Sequence, residues 1–246
     1  MYCFSVSGVG VTASFRVPET HTFHQTLPLP SRTNQIGLMG AALGLSIQEV
    51  HAFAEKNGIK VSVCGKAKGI MKDLWNYRKV TTKAFNETEM KSRPHYSVLT
   101  REYLAYPTFE FVYASENPEA LTQVREAFLH PVYALTAGNS DDLLKITAVS
   151  EIEDVKASML CEFENTILPG DMASQFRYDV KSLLRDTPVT FSLRMPEVFS
   201  LPTGFTFDGD VRTGVNVSPF TFVSYKVSLR EPVEGYVVNG KNYLLY

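Results

Sequence analysis

Two prolines, Pro28 and Pro30, fix where the first helix of this chain can begin. Each proline holds its own backbone extended and pushes the preceding residue away from helical geometry. The helix therefore begins at about Ser31, which suits an N-cap. Its first turn carries three side chains with hydrogen-bond donors, Arg32, Thr33 and Asn34. We predict one helix over 31–57, followed by a C-cap glycine at Gly58.

Three glycines lie in or beside this predicted helix, at positions 37, 40 and 44. Glycine costs about 1 kcal/mol per helical position relative to alanine. Helix propensity therefore does not explain why these three residues are glycines. We expect another backbone to approach the helix closely there.

The order of elements predicts an α+β fold. Alternating apolar residues indicate strands over 2–7, 59–65, 108–114 and 145–152, and a second helix over 117–129 begins with a proline. Strand, helix, strand, insertion, strand, helix, strand is the order of a split βαβ unit. We predict a ferredoxin-like domain of the RNA-recognition type over 1–155, with a basic β-hairpin or thumb inserted at about 66–106.

The last part of the chain, 156–246, is predicted to form a smaller β-rich domain. Short apolar runs at 189–193, 221–229 and 236–238 are separated by prolines and glycines. This spacing is typical of short strands joined by turns.

The charges are unevenly distributed, although the net charge is only −2. Residues 60–103 carry ten basic and four acidic side chains, a local charge of +6. Such segregation supplies a surface for phosphates while the acidic remainder limits non-specific binding. A solvated, lysine-bearing hairpin would show the same charges. Five aromatic residues lie in the stretch and could stack on unpaired bases or belong to the core: Trp75, Tyr77, Phe85, Tyr96 and Tyr103.

Catalytic and metal-binding patterns are weak. Metal-independent RNA cleavage needs a general acid and base, for which the candidates are His21, His24, Tyr77 and Lys79. The three cysteines, Cys3, Cys64 and Cys161, lack CxxC spacing, so we expect buried free thiols rather than metal ligands. We expect no cofactor. The run 138–142, Gly-Asn-Ser-Asp-Asp, is either a ligand loop or an Asx-type turn before a strand.

No segment reaches about 18 uninterrupted apolar residues, and the first sixteen residues lack the pattern of a signal peptide. We therefore expect a cytoplasmic protein with no membrane partner.

Two stretches resemble motifs of the fifth CRISPR-associated (Cas) protein family. The first is Ser-Phe-Arg-Val-Pro at 14–18 followed by Leu-Pro-Leu-Pro-Ser at 27–31 and Ile-Gly-Leu-Met-Gly-Ala-Ala-Leu-Gly at 36–44. The second is 128–146, where His-Pro-Val-Tyr leads to Gly-Asn-Ser-Asp-Asp and a strand. Segments 72–75 and 100–104 resemble the type I-B branch. The resemblance covers roughly residues 1–150.

The resemblance implies a subunit of a type I CRISPR surveillance complex (Cascade), with a repeat-associated (RAMP) type domain. Such subunits bind the 5′ handle of the CRISPR RNA, contact the large subunit, clamp the first backbone subunit with a thumb, and meet target DNA only indirectly. Most do not cut RNA. Alternatives are an endoribonuclease that matures CRISPR RNA, as in the type I-C branch, and an RNA-recognition module unrelated to CRISPR.

Within this interpretation the helix start and the basic stretch line a single groove for RNA, because a helix N-terminus with nearby arginines favours a phosphate. The RNA-binding residues that we expect are Arg16, Ser31, Arg32, Thr33, Asn34, Lys66, Lys68, Lys72, Trp75, Arg78 and Lys79.

Overall fold

The computed structural model describes residues 1–78, 96–177, 195–209 and 211–246. Three α-helices lie in these ranges: α1 (Arg32–Leu43), α2 (Ile47–Lys56) and α3 (Pro118–Leu129). The strands of the first half are β1 (Tyr2–Gly10), β2 (Thr12–Ala13), β3 (Phe23–His24), β4 (Lys60–Lys66), β5 (Gly69–Arg78), β6 (Tyr96–Ala105), β7 (Thr108–Ser115) and β8 (Leu144–Val149). Those of the second half are β9 (Glu153–Asp154), β10 (Ser158–Phe163), β11 (Thr166–Pro169), β12 (Phe176–Arg177), β13 (Glu197–Asp208), β14 (Val211–Val223), β15 (Val227–Val238) and β16 (Lys241–Tyr243).

The centre of the molecule is an antiparallel sheet in which β4, β7, β1 and β8 are neighbours in that order. Successive side chains of a strand point to opposite sides, and in β4, β7 and β1 consecutive residues are buried, so these strands are covered on both faces. On one face Phe4 and Tyr113 pack against apolar residues of α1, α2 and α3 in the largest core cluster. On the other face Cys3 and Cys64 pack against the hairpin of β15 and β16. The predicted α+β class is confirmed.

The predicted helix over 31–57 is wrong in its continuity. It consists of α1 and α2, which are bent by 104° relative to each other. Gly44 ends α1 in the left-handed conformation, with φ of +76°. Ser46 then caps α2 in a capping box with Glu49, whose carboxylate accepts from the Ser46 amide at 2.8 Å. Two local signals, a C-cap glycine and a serine followed three residues later by a glutamate, explain the break.

The helix glycines do not meet another backbone. A Cβ on Gly40 would lie 3.0 to 3.2 Å from the side chain of Val50, and one on Gly44 would lie 2.9 Å from that of Val132. Nothing lies within 4 Å of the Cβ position of Gly37. The close neighbours are therefore side chains of α2 and of the segment after α3.

Other elements agree with the sequence predictions. The second predicted helix, over 117–129, is α3, which begins at Pro118 with Asn117 as its N-cap. The four predicted strands of the first half are confirmed within a few residues of their bounds. The predicted strand over 221–229 is instead the end of β14 and the start of β15, and 236–238 is the end of β15. The run 189–193 lies outside the described residues.

The second half extends the central sheet and adds another. Strand β11 pairs with β4 through Thr166 and Cys64, and β14 and β13 follow it to the sheet edge. Strands β10, β15, β12 and β16 form a further sheet with its own small core. The predicted division at about residue 155 stays a prediction. No single described helix is long and apolar enough to cross a membrane, and only the bent pair α1 and α2 passes that test of length and composition.

Candidate nucleic-acid interface

The basic stretch forms a two-stranded hairpin in the described residues, with β5 and β6 paired from Gly69–Ala105 to Arg78–Tyr96. Opposite residues of an antiparallel pair share a face. Asp73 is opposite Arg101, and Trp75 is opposite Leu99. The odd-numbered residues therefore form one face, which carries an arginine and three aromatic side chains. These four are Trp75, Tyr77, Arg101 and Tyr103.

Arg101 is the centre of that face. Its guanidinium carbon lies 4.7 Å from the ring centroid of Trp75 and 4.8 Å from that of Tyr103. Its Nε donates to the Tyr103 hydroxyl at 3.0 Å, and its Nη2 donates to Asp141 at 3.2 Å. The Tyr103 hydroxyl donates to Asp73 at 2.5 Å. These contacts fix the guanidinium beside Trp75, a residue that remains 41% exposed.

The pKa values of this cluster follow from its contacts. Burial alone would lower the pKa of Arg101, but hydrogen bonds with Tyr103 and Asp141 outweigh it and raise the pKa. A hydrogen bond from its own amide, and then the one from Arg101, lower the pKa of Asp141. The cluster thus holds a permanent cation against an ionised, exposed carboxylate.

The loop that carries Asp141 is fastened to the extended arm before α1. The buried carboxylate of Asp142 accepts hydrogen bonds from the hydroxyls of Thr12 and Ser14, each at 2.5 Å. Gly138 has φ of +112°, and a Cβ there would lie 1.8 Å from the Ser14 carbonyl oxygen. Only glycine fits this position. The described contacts favour a structural role for this loop, because they attach it to the arm. They also bring Asp141 to the hairpin.

The start of α1 faces the same loop. Ser31 caps the helix, and its hydroxyl donates to Asn34 Oδ1 at 2.7 Å. Thr33 and Asn34 line a cavity of about 240 Å³ together with Gly138 and with Phe15 of the arm. The structure thus brings the helix start, the arm and the loop together, and Arg101 links the hairpin to that loop.

Arg32 points elsewhere. Its side chain is half-buried, and Nη1 donates to the carbonyl oxygen of Thr203 in β13. Burial lowers its pKa. Arg16 is exposed on the arm, where Nη2 donates to the Thr20 carbonyl at 2.7 Å.

The predicted lysines do not share one face. The Lys72 ammonium lies 5.2 Å from the ring of Phe23 and 3.9 Å from the Glu102 carboxylate, on the even-numbered side of the hairpin. Lys68 lies 5.1 Å from the ring of Tyr106 at the hairpin base. Lys66 lines a cavity of about 610 Å³ on the helix-free side of the central sheet.

The remaining predicted residues lie at the ends of the hairpin and on the arm. The Trp75 and Tyr77 ring centroids are 5.5 Å apart. Arg78 ends β5, whereas its side chain and the whole of Lys79 and Phe85 lie outside the described residues. His24 pairs with Arg101 along β3 and β6, and its pKa is lowered by burial and then by Arg16. His21 is exposed.

Sequence reasoning missed three of the residues that organise this face, Arg101, Asp73 and Asp141, and named Tyr103 only as an aromatic that stacks on a base or belongs to the core. A signal was present, since residues 69–78 and 96–105 are long enough for a hairpin in which alternate residues share a face. The pairing register, which puts Asp73 opposite Arg101, comes only from the structure.

Comparison with known proteins identifies the family. Residues 8–196 match the family model described as CRISPR-associated protein (Cas_Cas5), and the chain belongs to that family. The resemblance in the sequence is confirmed at this level, while the type I-B branch stays a prediction.

Two solved structures share the fold. One is a chain of a "CRISPR RNA-guided surveillance complex", with a TM-score of 0.54 at 16% identity over 94% of this chain and 91% of that one. Another is a "CRISPR protein from Archaeoglobus fulgidus", with a TM-score of 0.52 at 10% identity over 98% and 97% of the two chains. No curated protein sequence matches this chain significantly.

Proposed function

We propose that this chain is a non-catalytic subunit of a type I CRISPR surveillance complex (Cascade), of type I-B, that binds the 5′ handle of the CRISPR RNA. In this proposal it caps the backbone of the assembly next to the large subunit and meets target DNA only indirectly. Family membership supports the CRISPR context. The observation that carries RNA binding is the exposed Trp75 ring beside the fixed guanidinium of Arg101.

The fold supports the same assignment. The neighbour order β4, β7, β1, β8 corresponds to chain order second, third, first, fourth, with every pair antiparallel. We propose that this four-stranded unit with its helices is a ferredoxin-like, RAMP-type domain. The hairpin of β5 and β6 leaves the sheet between the second and third of these strands, and we propose that it is the thumb that contacts a backbone subunit.

The chemistry of the hairpin face suits unpaired RNA. Aromatic rings stack on bases of any sequence, and arginine contributes both stacking and charge. Asp141 already occupies one guanidinium nitrogen of Arg101, at an exposed position. A phosphate of the RNA offers the same kind of anionic oxygens and would replace this carboxylate.

The alternative function is a metal-independent endoribonuclease that matures CRISPR RNA. The observation in its favour is His24, which is next to Arg101 in the sheet and whose lowered pKa keeps the imidazole in the neutral form that can accept a proton. We prefer non-catalytic binding, because the groups held in place on this face, Trp75 and Arg101, serve stacking and charge interactions.

One titration series tests the proposal. Purified protein and labelled repeat RNA are mixed at several salt concentrations, and binding is read by fluorescence anisotropy. We expect Arg101→Ala to weaken binding about 10-fold or more, because a stacked cation is lost. The same variant should lower the slope of log affinity against log salt by about 0.7, the value for one phosphate contact in a single strand. Lys156→Ala, which removes the same charge from an exposed site outside the hairpin, is the control.

A denaturing gel of the same mixtures separates the two functions. Intact RNA supports the binder, whereas specific products that disappear in His24→Ala support the nuclease. Wild-type affinity in Arg101→Ala, with a thermal melt that shows a folded protein, would contradict the assigned RNA face.

A further inference from the structure

Tyr106 occupies a backbone conformation that its side chain does not favour. It lies in the turn between β6 and β7, and its φ of +47° is in the left-handed region that bulky residues rarely adopt. Among the described residues with positive φ, the other non-glycines are both asparagines, Asn165 and Asn239. Asparagine and glycine tolerate this region, whereas an aromatic residue there is an outlier. Such outliers persist where the surrounding structure imposes them, and they cluster at functional sites.

The backbone around Tyr106 is held from several sides. The Tyr106 amide donates to the Val11 carbonyl oxygen at 2.8 Å, and the Gly10 amide donates to the Pro107 carbonyl oxygen at 3.1 Å. The Lys68 amide donates to the Ala105 carbonyl oxygen at 2.8 Å. The turn therefore joins the hairpin to the central sheet in a fixed geometry, and it keeps the ring at the hairpin base.

The ring itself is not used for packing. Its residue is 55% exposed and belongs to none of the apolar clusters of the described residues. In the described part of the chain the ring is contacted by the Lys68 ammonium, which lies 5.1 Å from the ring centroid. Lys68 is itself exposed. Core packing thus gives no reason for a tyrosine at a position that suits asparagine or glycine.

We infer that Tyr106 and Lys68 form a binding site for one unpaired nucleotide, whose base stacks on the Tyr106 ring while Lys68 contacts the neighbouring phosphate. This inference rests on the proposed RNA binding and adds a second stacking position at the base of the hairpin. A ring carried on a fixed backbone is already positioned for a base to stack on it, and a cation beside it suits the phosphate. A protein surface that binds the same exposed ring is the competing occupant, and the test distinguishes it.

The experiment uses repeat RNAs in which one base at a time is replaced by 2-aminopurine, whose fluorescence is quenched on stacking. With wild type and with Tyr106→Phe, we expect quenching at one position. With Tyr106→Asn, that fluorescence should return and the affinity should fall about 5- to 100-fold, the range for loss of one stacked base. Because asparagine suits positive φ, the melting temperature of Tyr106→Asn should not fall. Tyr133→Asn, which removes another exposed tyrosine, is the control.

The outcomes separate this site from the proposed function. If wild type binds the RNA and Tyr106→Asn binds it equally tightly with unchanged fluorescence at every position, the nucleotide site is overturned while RNA binding stands. If Tyr106→Asn instead weakens only the association with other subunits, the ring belongs to a protein interface and the inference is equally wrong. If wild type does not bind repeat RNA, both proposals fail.

Discussion

At the scale of single residues, one buried carboxylate connects parts of the chain that are far apart in sequence. Asp142 and Ser14 are 128 positions apart, yet the Ser14 hydroxyl donates to Asp142 at 2.5 Å. The neighbouring Asp141 is exposed and pairs with Arg101. The two adjacent aspartates therefore differ in role. Asp142 attaches the loop to the arm, and Asp141 pairs with Arg101 of the hairpin.

We expect Asp142→Ala to lower the free energy of unfolding by about 2 kcal/mol, because two half-buried hydroxyls lose a buried, charged acceptor. Asp141→Ala is the matched control, and its exposed ion pair should contribute about 1 kcal/mol or less. Urea unfolding of the two variants measures the difference. Equal losses would contradict the distinction between the two carboxylates.

At the scale of elements, the break between α1 and α2 shapes the helix layer. Gly44 and Ser46 are adjacent stop and start signals, and the bend brings Val50 of α2 against Gly40 of α1. Glycines of α1 thus differ in role although they look alike in the sequence. Gly44 is needed for its conformation, Gly40 for the space that Val50 occupies, and Gly37 for neither within the described structure.

A pair of alanine substitutions tests this difference. Gly44→Ala should lower the free energy of unfolding by about 1–2 kcal/mol, because alanine is strained at positive φ. Gly37→Ala should raise it by about 0.5–1 kcal/mol, because alanine is the better helix former and nothing lies within 4 Å of the added Cβ. Thermal melts measure both changes. A loss of stability in Gly37→Ala would show that the added methyl group does not fit beside Gly37.

At the scale of the whole molecule, the helices are joined to the far edge of the extended sheet. Arg32 donates to the Thr203 carbonyl, and the His51 ring packs edge-on against Phe205 at 5.0 Å between centroids. His51 Nε2 is buried and has no hydrogen-bond partner in the described residues. A proton there would be poorly solvated and close to Arg32.

The position of His51, between Phe205 and Arg32, predicts that the stability of the protein depends on pH. Burial, and then the charge of Arg32, lower the pKa of His51 in the folded protein. The unfolded chain, with a histidine pKa of about 6.5, therefore binds a proton first as the pH falls. The contribution of a neutral His51 is complete above that value and is lost as the pH falls through the lower, folded pKa.

Urea unfolding of wild type and His51→Gln between pH 8 and pH 5 measures this contribution. Wild type should lose more stability over the range, because glutamine does not titrate. Parallel curves for the two proteins would exclude His51 as a source of the pH dependence.

The sequence by itself determined what depends on a few neighbouring residues. Prolines and caps placed the start of α1 and of α3, alternation placed the central strands, and two motifs predicted the family that residues 8–196 then matched. These signals are local because they act through backbone conformation and through side chains within one or two turns.

Only the tertiary structure decided which way the side chains of the predicted site face. Arg32 contacts a carbonyl 171 positions away, Lys72 and Trp75 lie on opposite faces of one hairpin, and Arg101 meets a loop 40 positions further on. Strand register and long-range packing set these neighbours. A change of register by one residue would reverse every face, and no local pattern of charges or rings fixes that register.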